Sequence, residues 1–322
     1  MNHSSKRIFY LQQLSMRTQA ILILSVVIMF IILPVQAAES CGGDGLGLQV
    51  LGSGGPELDD GRASTAYLIW YQGKARILVD MGAGSASRFE QSGAALNDLD
   101  LILLSHLHVD HSNDLPALIK ASYFTDRQRQ LPIYGPTGNH VMPSMTNFVQ
   151  GLFGAEGSYR YLNDYLNGNE SYRLVPQDIE ASGKRVQTVN TDAPYRLTAV
   201  PVRHGPIPSL AWRVEIDGHS IVFSGDMSNE NEVLAGFAKG ADLLVAHHAI
   251  PEQAGPIARR LHMPPSVIGE IAANAKVRSL VLSHRMKRTY GEEPATQALI
   301  RQHYSGPLQF ADDLQCFSIA PQ

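Results

Sequence analysis

The feature that most constrains this chain is a loop dense in ligand-type side chains that directly follows an apolar run. Residues 101–104 read Leu-Ile-Leu-Leu, and residues 105–111 read Ser-His-Leu-His-Val-Asp-His. Neutral imidazole and carboxylate are the ligands that zinc and similar divalent ions prefer. Packing alone does not readily explain so many of them in one loop. We therefore predict a metal site at the end of a buried strand, built from His106, His108, Asp110 and His111.

Three later residues occupy the same kind of position. His204, Asp226 and His284 each stand at or just after the end of an apolar, strand-like run. One loop cannot complete two metal sites, so further ligands are expected at other strand ends. These three residues are the candidates.

The spacing of apolar residues predicts an α/β fold. Short apolar runs closed by Gly, Asp or Ser are typical of buried strands, whereas helices show a longer period. We expect two sheets with helices outside them. The predicted strands are 46–51, 66–70, 75–79, 101–104, 197–202, 210–216, 221–223, 243–246 and 280–282, and the predicted helices are 114–124, 230–238 and 266–275. Residues 136–184, rich in Gly, Asn, Tyr and Ser, are interpreted as an insertion of short helices and loops, either a lid over the site or a plain surface elaboration.

Residues 1–37 have the layout of a secretory signal peptide. Basic residues come first, and an almost wholly apolar stretch, 20–35, precedes small residues suited to cleavage before Ala38. The alternative is an uncleaved N-terminal anchor, in which case the chain would be attached to a membrane. Either way, we predict that residues 38–322 form a hydrolase domain that is exported, periplasmic or secreted.

Two cysteines, Cys41 and Cys316, stand near the ends of that domain. In an oxidising compartment they could form one bridge between the termini. Two unpaired thiols and a lipid-modified Cys41 are the alternatives.

The charge balance is acidic. The formal net charge is −4, and removing the three basic residues of the leader makes the remaining chain more acidic still. Proteins that bind nucleic acid usually have basic surfaces, because neutralising the phosphates supplies much of the binding affinity. We therefore expect no polymeric nucleic acid as a partner.

The series of motifs resembles the metallo-β-lactamase superfamily, and within it the ribonuclease Z and arylsulfatase-like branch. The resemblance covers about residues 46–319 and is carried by 51–56, Arg62, 64–66, Asp80-Met81-Gly82, His106-x-His108-x-Asp110-His111, His204, Asp226 and His284. It implies an αββα four-layer sandwich with two divalent ions. Zinc suits the ligand set best, and manganese or iron would use the same residues.

The resemblance also implies a role for each motif residue. One ion would take His106, His108, His204 and Asp226, and the other Asp110, His111, His284 and Asp226, which would bridge both ions through its two oxygens. Asp80 would orient the ligand loops by hydrogen bonds. His262 would move a proton to the leaving group, and Arg288 would bind a phosphate or sulfate oxygen. Where that branch tends to have a Glu-containing motif, this chain has His247-His248 after an apolar run. We expect one of the two, and choose His248, to hydrogen-bond near the site.

We expect the substrate to be a small phosphodiester or sulfate ester, attacked by a hydroxide that the ions hold. The interval from His204 to Asp226 is too short for the protruding arm with which ribonuclease Z holds tRNA. A lactonase or other cyclic-ester hydrolase is the first alternative, and a non-catalytic metal-binding protein is the second.

Overall fold

The structure, a computed structural model, describes residues 41–189 and 195–319. They belong to a compact unit that spans Ser40–Gln322. The predicted leader, residues 1–37, lies outside the described residues, so its cleavage or retention remains a prediction. In the part of the chain that the structure describes, no helix is both long and apolar enough to cross a bilayer.

Fourteen strands and nine α-helices are described. The strands are β1 (Leu46–Gly52), β2 (Ala66–Tyr71), β3 (Lys74–Val79), β4 (Leu101–Leu103), β5 (Leu131–Pro136), β6 (Leu174–Ile179), β7 (Gln187–Val189), β8 (Arg196–His204), β9 (Ile207–Ile216), β10 (His219–Phe223), β11 (Leu243–His247), β12 (Ser279–Ser283), β13 (Leu308–Phe310) and β14 (Cys316–Ile319). The helices are α1 (Ser85–Gln91), α2 (Val109–Ser112), α3 (Leu115–Ser122), α4 (Met145–Phe153), α5 (Asp164–Asn167), α6 (Leu234–Phe237), α7 (Pro256–Arg259), α8 (Pro265–Ala275) and α9 (Glu293–Arg301).

The strands form two mixed seven-stranded sheets. The first has the order β14-β1-β2-β3-β4-β5-β6 and the second β13-β12-β11-β10-β9-β8-β7. Apolar side chains from the inner faces of both sheets make one core, to which β2 contributes Tyr67 and β9 contributes Trp212. Two further cores lie under the helices on the outer faces, with α3 and α4 on the first sheet and α8 on the second. The predicted αββα sandwich is thus confirmed.

The segment 136–184 differs from its interpretation as an insertion of short helices and loops. It contains the short helices α4 and α5, but it also supplies β6, which pairs in parallel with β5 in the first sheet. Apolar side chains such as Val149, Phe153 and Tyr165 are fully buried in the outer core of that sheet. Most of this segment is therefore structural, because it covers one face of the sheet.

A disulfide joins Cys41 and Cys316, whose Cα atoms are 5.6 Å apart. It lies where β1 pairs with β14, a pairing that includes Leu46 with Ile319. The structure thus adopts the bridged form of the three alternatives for these cysteines. The bridge ties the start of β14 to the turn that precedes β1.

The predicted ligands converge because parallel strands end at the same edge of each sheet. In the first sheet β3 and β4 run parallel, and in the second β10, β11 and β12 do. Loops after the carboxyl ends of parallel strands commonly hold the ligand sites of α/β proteins.

Candidate metal centre

The ligand loop after β4 turns directly into the short helix α2, which starts after His108. The carbonyl oxygen of Asp110 would lie 2.1 Å from a Cβ atom at residue 82, so only glycine fits beside the loop there. Two site residues, Asp80 and His284, have φ values of 57° and 51°. Such left-handed backbone is unfavourable for non-glycine residues and is concentrated at functional sites.

The first ligand group consists of His106, His108, His204 and Asp226. Their candidate ligand atoms all lie within 4.8 Å of one another. His108 Nδ1 is 3.1 Å from His106 Nε2 and 3.3 Å from His204 Nε2. Asp226 Oδ2 lies 3.9 Å from His106 Nε2 and 3.6 Å from His204 Nε2. The structure therefore brings together all four residues that were predicted for one ion.

The second ligand group shares Asp226 with the first and adds His111 and His284. Asp226 Oδ2 is 3.7 Å from His111 Nε2 and 3.0 Å from His284 Nε2. Asp110 Oδ2, predicted as the fourth ligand, lies 3.6 and 3.8 Å from these two nitrogens. The candidate ligand atoms of His111, Asp226, His247 and His284 all lie within 4.8 Å of one another, so His247 takes the place of Asp110 in this close set. His247 is not among the ligands that the sequence predicts.

Outer partners hold the ligand histidines in place. Asp80 Oδ2 is 2.8 Å from His111 Nδ1, and its two oxygens also accept hydrogen bonds from the hydroxyl and backbone N–H of Ser105. His204 Nδ1 lies 2.8 Å from the carbonyl oxygen of Leu261. Such contacts fix which ring nitrogen is left for a metal ion. The structure thus places Asp80 where the resemblance implied, beside the ligand loop.

The donor set fits divalent metal ions. Two ligands about 2.0–2.1 Å from a tetrahedral zinc ion lie roughly 3.3 Å apart, close to the spacing within the first ligand group. The carboxylate–histidine distances of 3.6 to 3.9 Å are too long for hydrogen bonds and suit ligands of a common ion. His111 Nε2 is buried without a hydrogen-bond partner among the described residues. A metal ion would satisfy it.

Burial and neighbouring charge separate the pKa values of these histidines. Burial lowers the pKa of His106, His108 and His204 below its usual value, with nearby histidines adding to the effect. Burial acts in the same direction on His111 and His284, but carboxylates override it and raise the pKa of both. The carboxylates that raise the pKa of His111 are those of Asp110, Asp80 and Asp226. The pKa of His284 is raised chiefly by Asp226.

His262, predicted to move a proton, lies at the centre. Its ring stacks edge-on against His204 and His284, with centroids 5.3 and 5.8 Å apart, and its Nδ1 is 3.9 Å from Asp226 Oδ2. That nitrogen has no hydrogen-bond partner in the part of the chain that the structure describes. Burial, which the charge of Asp226 only partly offsets, lowers the pKa of His262 to about 3, so the ring is neutral at pH 7.

Arg288, predicted to bind an anionic oxygen, is exposed at the edge of the site. Its Nε donates to the carbonyl oxygen of Ala249 at 2.7 Å. Its positive charge makes a small contribution to the lowered pKa of His262. Its role in binding an anionic oxygen remains a prediction.

His248 does not reach the site, which corrects its prediction as a residue that hydrogen-bonds there. Its Nε2 faces the Thr296 hydroxyl at 3.3 Å, and its ring lies 6.2 Å from that of Phe310. Its neighbour His247 makes the contact instead, with Nδ1 2.7 Å from Asp226 Oδ1. Successive side chains of an extended chain point to opposite sides, so only one residue of the pair can face the centre.

Comparison with known proteins gives the same superfamily. A family model described as "Beta-lactamase superfamily domain" matches residues 75–285, well over half of the chain. Among curated proteins, ribonuclease Z of Mycolicibacterium paratuberculosis is 28% identical over 283 residues, covering 82% of this chain and 95% of that protein. Ribonuclease Z of Mycobacterium bovis is 28% identical over 290 residues, covering 86% and 99%.

Solved structures share the fold. The metallo-beta-lactamase fold protein YhfI from Bacillus subtilis superposes with a TM-score of 0.68 at 21% identity, covering 85% of this chain and 99% of that one. The short form of human tRNase Z superposes with a TM-score of 0.65 at 20% identity, covering 85% and 100%.

These relatives overturn two expectations from the sequence. A small phosphodiester or sulfate ester as substrate is wrong, together with its lactonase and non-catalytic alternatives, because relatives along more than four fifths of the chain are named ribonuclease Z. The exclusion of polymeric nucleic acid is wrong for the same reason. Net charge is a sum over the whole surface and does not locate the basic groups that contact phosphates. An acidic net charge therefore does not exclude a nucleic-acid partner.

Three observations point to the same family. They are the two ligand groups around a shared carboxylate, the sandwich fold that positions these groups, and the family match over residues 75–285. The chain belongs to the beta-lactamase superfamily and is a metal-dependent hydrolase with the metallo-β-lactamase fold.

Proposed function

We propose that this protein is a metal-dependent ribonuclease that hydrolyses a phosphodiester bond of RNA, with precursor tRNA as its substrate class. The observation that carries the proposal is the shared carboxylate Asp226, which places two ligand groups side by side. A pair of ions held in this way can act on both the attacking and the leaving oxygen of a phosphodiester. The relatives named ribonuclease Z supply the choice of RNA.

The first ligand group would hold one ion, and the second ligand group, completed by Asp110, would hold the other. When bound, the two ions lower the pKa of water and neutralise charge that develops on the phosphate. Zinc fits the histidine-rich set, and manganese or iron would use the same ligands. The chain's own residues must then orient the RNA and handle the proton of the leaving oxygen.

We assign these tasks to His262 and Arg288. The unpartnered His262 Nδ1 faces the cluster, so it can exchange a proton with a leaving ribose oxygen. Arg288 offers a planar guanidinium that suits a phosphate oxygen. Because His262 is neutral in the metal-free protein, it must first take up a proton to act as an acid.

Recognition of RNA cannot use an arm between His204 and Asp226. Strand β8 turns directly into β9 there, with His204 paired to Ile207 across a tight turn. That interval therefore holds only β9, β10 and short turns. We infer that RNA contacts come from surfaces elsewhere around the metal centre.

The test is cleavage of defined RNAs by purified, zinc-loaded protein whose metal content has been measured. The substrates are a tRNA precursor with a 3′ extension and an unstructured RNA of equal length. We expect cleavage of the precursor at one position near the extension, and no cleavage by an Asp226→Asn variant. A protein that carries two ions per chain yet cleaves neither RNA would refute the proposal.

Export of the domain is a separate proposal. The apolar stretch 20–35 supports it, and so does the bridge between Cys41 and Cys316, since disulfides persist mainly in oxidising compartments. Cell fractionation combined with mass spectrometry of the intact protein tests it. An intact leader and free thiols on protein recovered from the cytoplasm would contradict it.

A further inference from the structure

His247 makes the shortest contact with the shared carboxylate. It ends strand β11, is only 2% exposed, and its Nδ1 lies 2.7 Å from Asp226 Oδ1. The backbone N–H of His247 donates to the Ser224 hydroxyl at 3.1 Å, which holds the strand end beside the loop that carries Asp226. The ring is therefore fixed from both its backbone and its side chain.

The other ring nitrogen of His247 contacts a side chain of the opposite sheet. His247 Nε2 is 3.0 Å from the hydroxyl of Tyr67, a fully buried residue of β2. Burial raises the pKa of Tyr67 well above its usual value, so this phenol keeps its proton. A carboxylate can only accept hydrogen bonds, so Nδ1 of a neutral His247 must carry the ring proton and Nε2 must accept from Tyr67.

This pairing uses both nitrogens of His247. The ring lies close to His111 and His284, as a metal ligand would. A nitrogen that donates to Asp226 has no lone pair for a metal ion, however, and the other nitrogen already accepts from Tyr67. The contacts thus favour a role in holding Asp226 over a role in binding an ion.

The two oxygens of Asp226 have different surroundings. Oδ1 contacts His247, whereas Oδ2 lies 3.6 to 3.9 Å from His106, His111 and His204, which belong to both ligand groups. His284 Nε2 lies 2.9 Å from Oδ1 and 3.0 Å from Oδ2, so it does not distinguish them. Only Oδ2 faces histidines of both groups.

We propose that His247, held by Tyr67, is a positioning residue that occupies Oδ1 of Asp226 and so leaves Oδ2 alone to serve both ions. This replaces the expectation that one carboxylate oxygen serves each ion. The proposal concerns the metal pair on which the proposed function rests, but it does not depend on RNA being the substrate. Metal-binding measurements can therefore test it even if no RNA is cleaved.

The chain provides a matched control in the adjacent residue. His248 is also a fully buried histidine, but it faces Thr296 and Phe310. Replacing either histidine by leucine removes the same chemical group from a buried position at the same strand end. Only the change at 247 removes the contact with Asp226.

The experiment compares His247→Leu, His247→Asn, Tyr67→Phe and His248→Leu with the unmodified chain. For each, zinc per chain is measured by elemental analysis, zinc affinity by chelator competition, and the visible spectrum after loading with cobalt(II). Circular dichroism and thermal melting report the fold. Asparagine retains one N–H donor near the position of Nδ1, so it should rescue part of the loss.

Loss of an outer partner of a metal ligand typically costs about 10–100-fold in affinity. We expect His247→Leu to bind two zinc ions with a loss in that range and to have an altered cobalt spectrum. His247→Asn and Tyr67→Phe should show smaller losses, and His248→Leu none.

Unchanged affinity and spectrum in His247→Leu would overturn the proposal. So would a single bound ion in both His247 variants at saturating zinc, which would make His247 a ligand. If His247→Leu does not fold, the other two site variants decide.

Discussion

The first ligand group and the second ligand group share Asp226 but differ in the charge of their histidines. His106, His108 and His204 have lowered pKa values, chiefly because burial disfavours the charged ring. His111 and His284 are fully buried, yet carboxylates around them raise their pKa values. Since metal ions bind neutral imidazole, the first group is ready for an ion at neutral pH. The histidines of the second group keep their protons to a higher pH than those of the first.

The difference shows how one cluster can hold two unequal sites. Burial, with the charge of neighbouring histidines, disfavours the protonated ring in the first group, whereas Asp110, Asp80 and Asp226 favour the protonated ring of His111 in the second. The same carboxylates that hold protons in the metal-free protein would stabilise a cation after those protons leave. We therefore expect the first group to fill before the second.

The largest effect is expected from Asp226→Asn, which weakens both groups at once. Both ions should be lost or greatly weakened, because this residue supplies the one oxygen that faces histidines of each group. RNA cleavage should fall by more than about 10⁴-fold, the upper range for loss of a general acid alone. Elemental analysis and cleavage rates measure the two effects. Retention of two tightly bound ions would contradict the comparison.

His262→Ala should separate chemistry from metal binding. Because His262 belongs to neither group, both ions should remain while the rate of RNA cleavage falls by about 10²–10⁴-fold. Single-turnover rates and zinc content, measured on the same preparation, check this. A fall in zinc content that matches the fall in rate would show that His262 acts on the metal site instead.

Acidification should weaken metal binding at the second ligand group more than at the first. As the pH falls, a histidine with a raised pKa regains its proton first, so the ion of the second group should leave before that of the first. Two competing protons weaken binding by up to about 100-fold per pH unit. Equilibrium dialysis at about pH 8 and about pH 6 should give two ions and then one ion per chain. Parallel loss of both ions would show that the pKa values do not order the sites.

A smaller effect is expected from Asp80→Asn. Asp80 contacts His111 directly but reaches His106 only through Ser105. The ion of the second group should therefore bind about 10–100-fold more weakly, with less change at the first. Chelator competition measures both affinities. Asp114→Asn, at a carboxylate that accepts from the backbone N–H of Ala86, is the control and should change neither.

Much of the fold could be predicted because most strands have plain local signals. The predicted runs at 46–51 and 75–79 are strands β1 and β3 within one residue at each end. Strand β5 was missed because Pro132, Gly135 and Pro136 argue against a strand inside a sheet. Its neighbours β4 and β6 supply the pairing that overrides that local preference.

The choice between His247 and His248 could not be predicted in this way. Strand β11 is buried along its whole length, with Leu243 and Val245 toward the inner core and Leu244 and Ala246 toward the outer one. A strand buried on both faces has no polar alternation to show which face a residue occupies. The packing of both sheets decides it.

The sequence by itself determined which residues could bind metal ions and that each stands at the end of a strand. It could do so because ligand chemistry belongs to individual side chains and apolar runs are local. The tertiary structure alone decided which histidine touches Asp226, which carboxylate oxygen faces both groups and how the histidine pKa values divide. These properties depend on distances between residues from β2, β4, β8, β11 and β12, which only folding brings together.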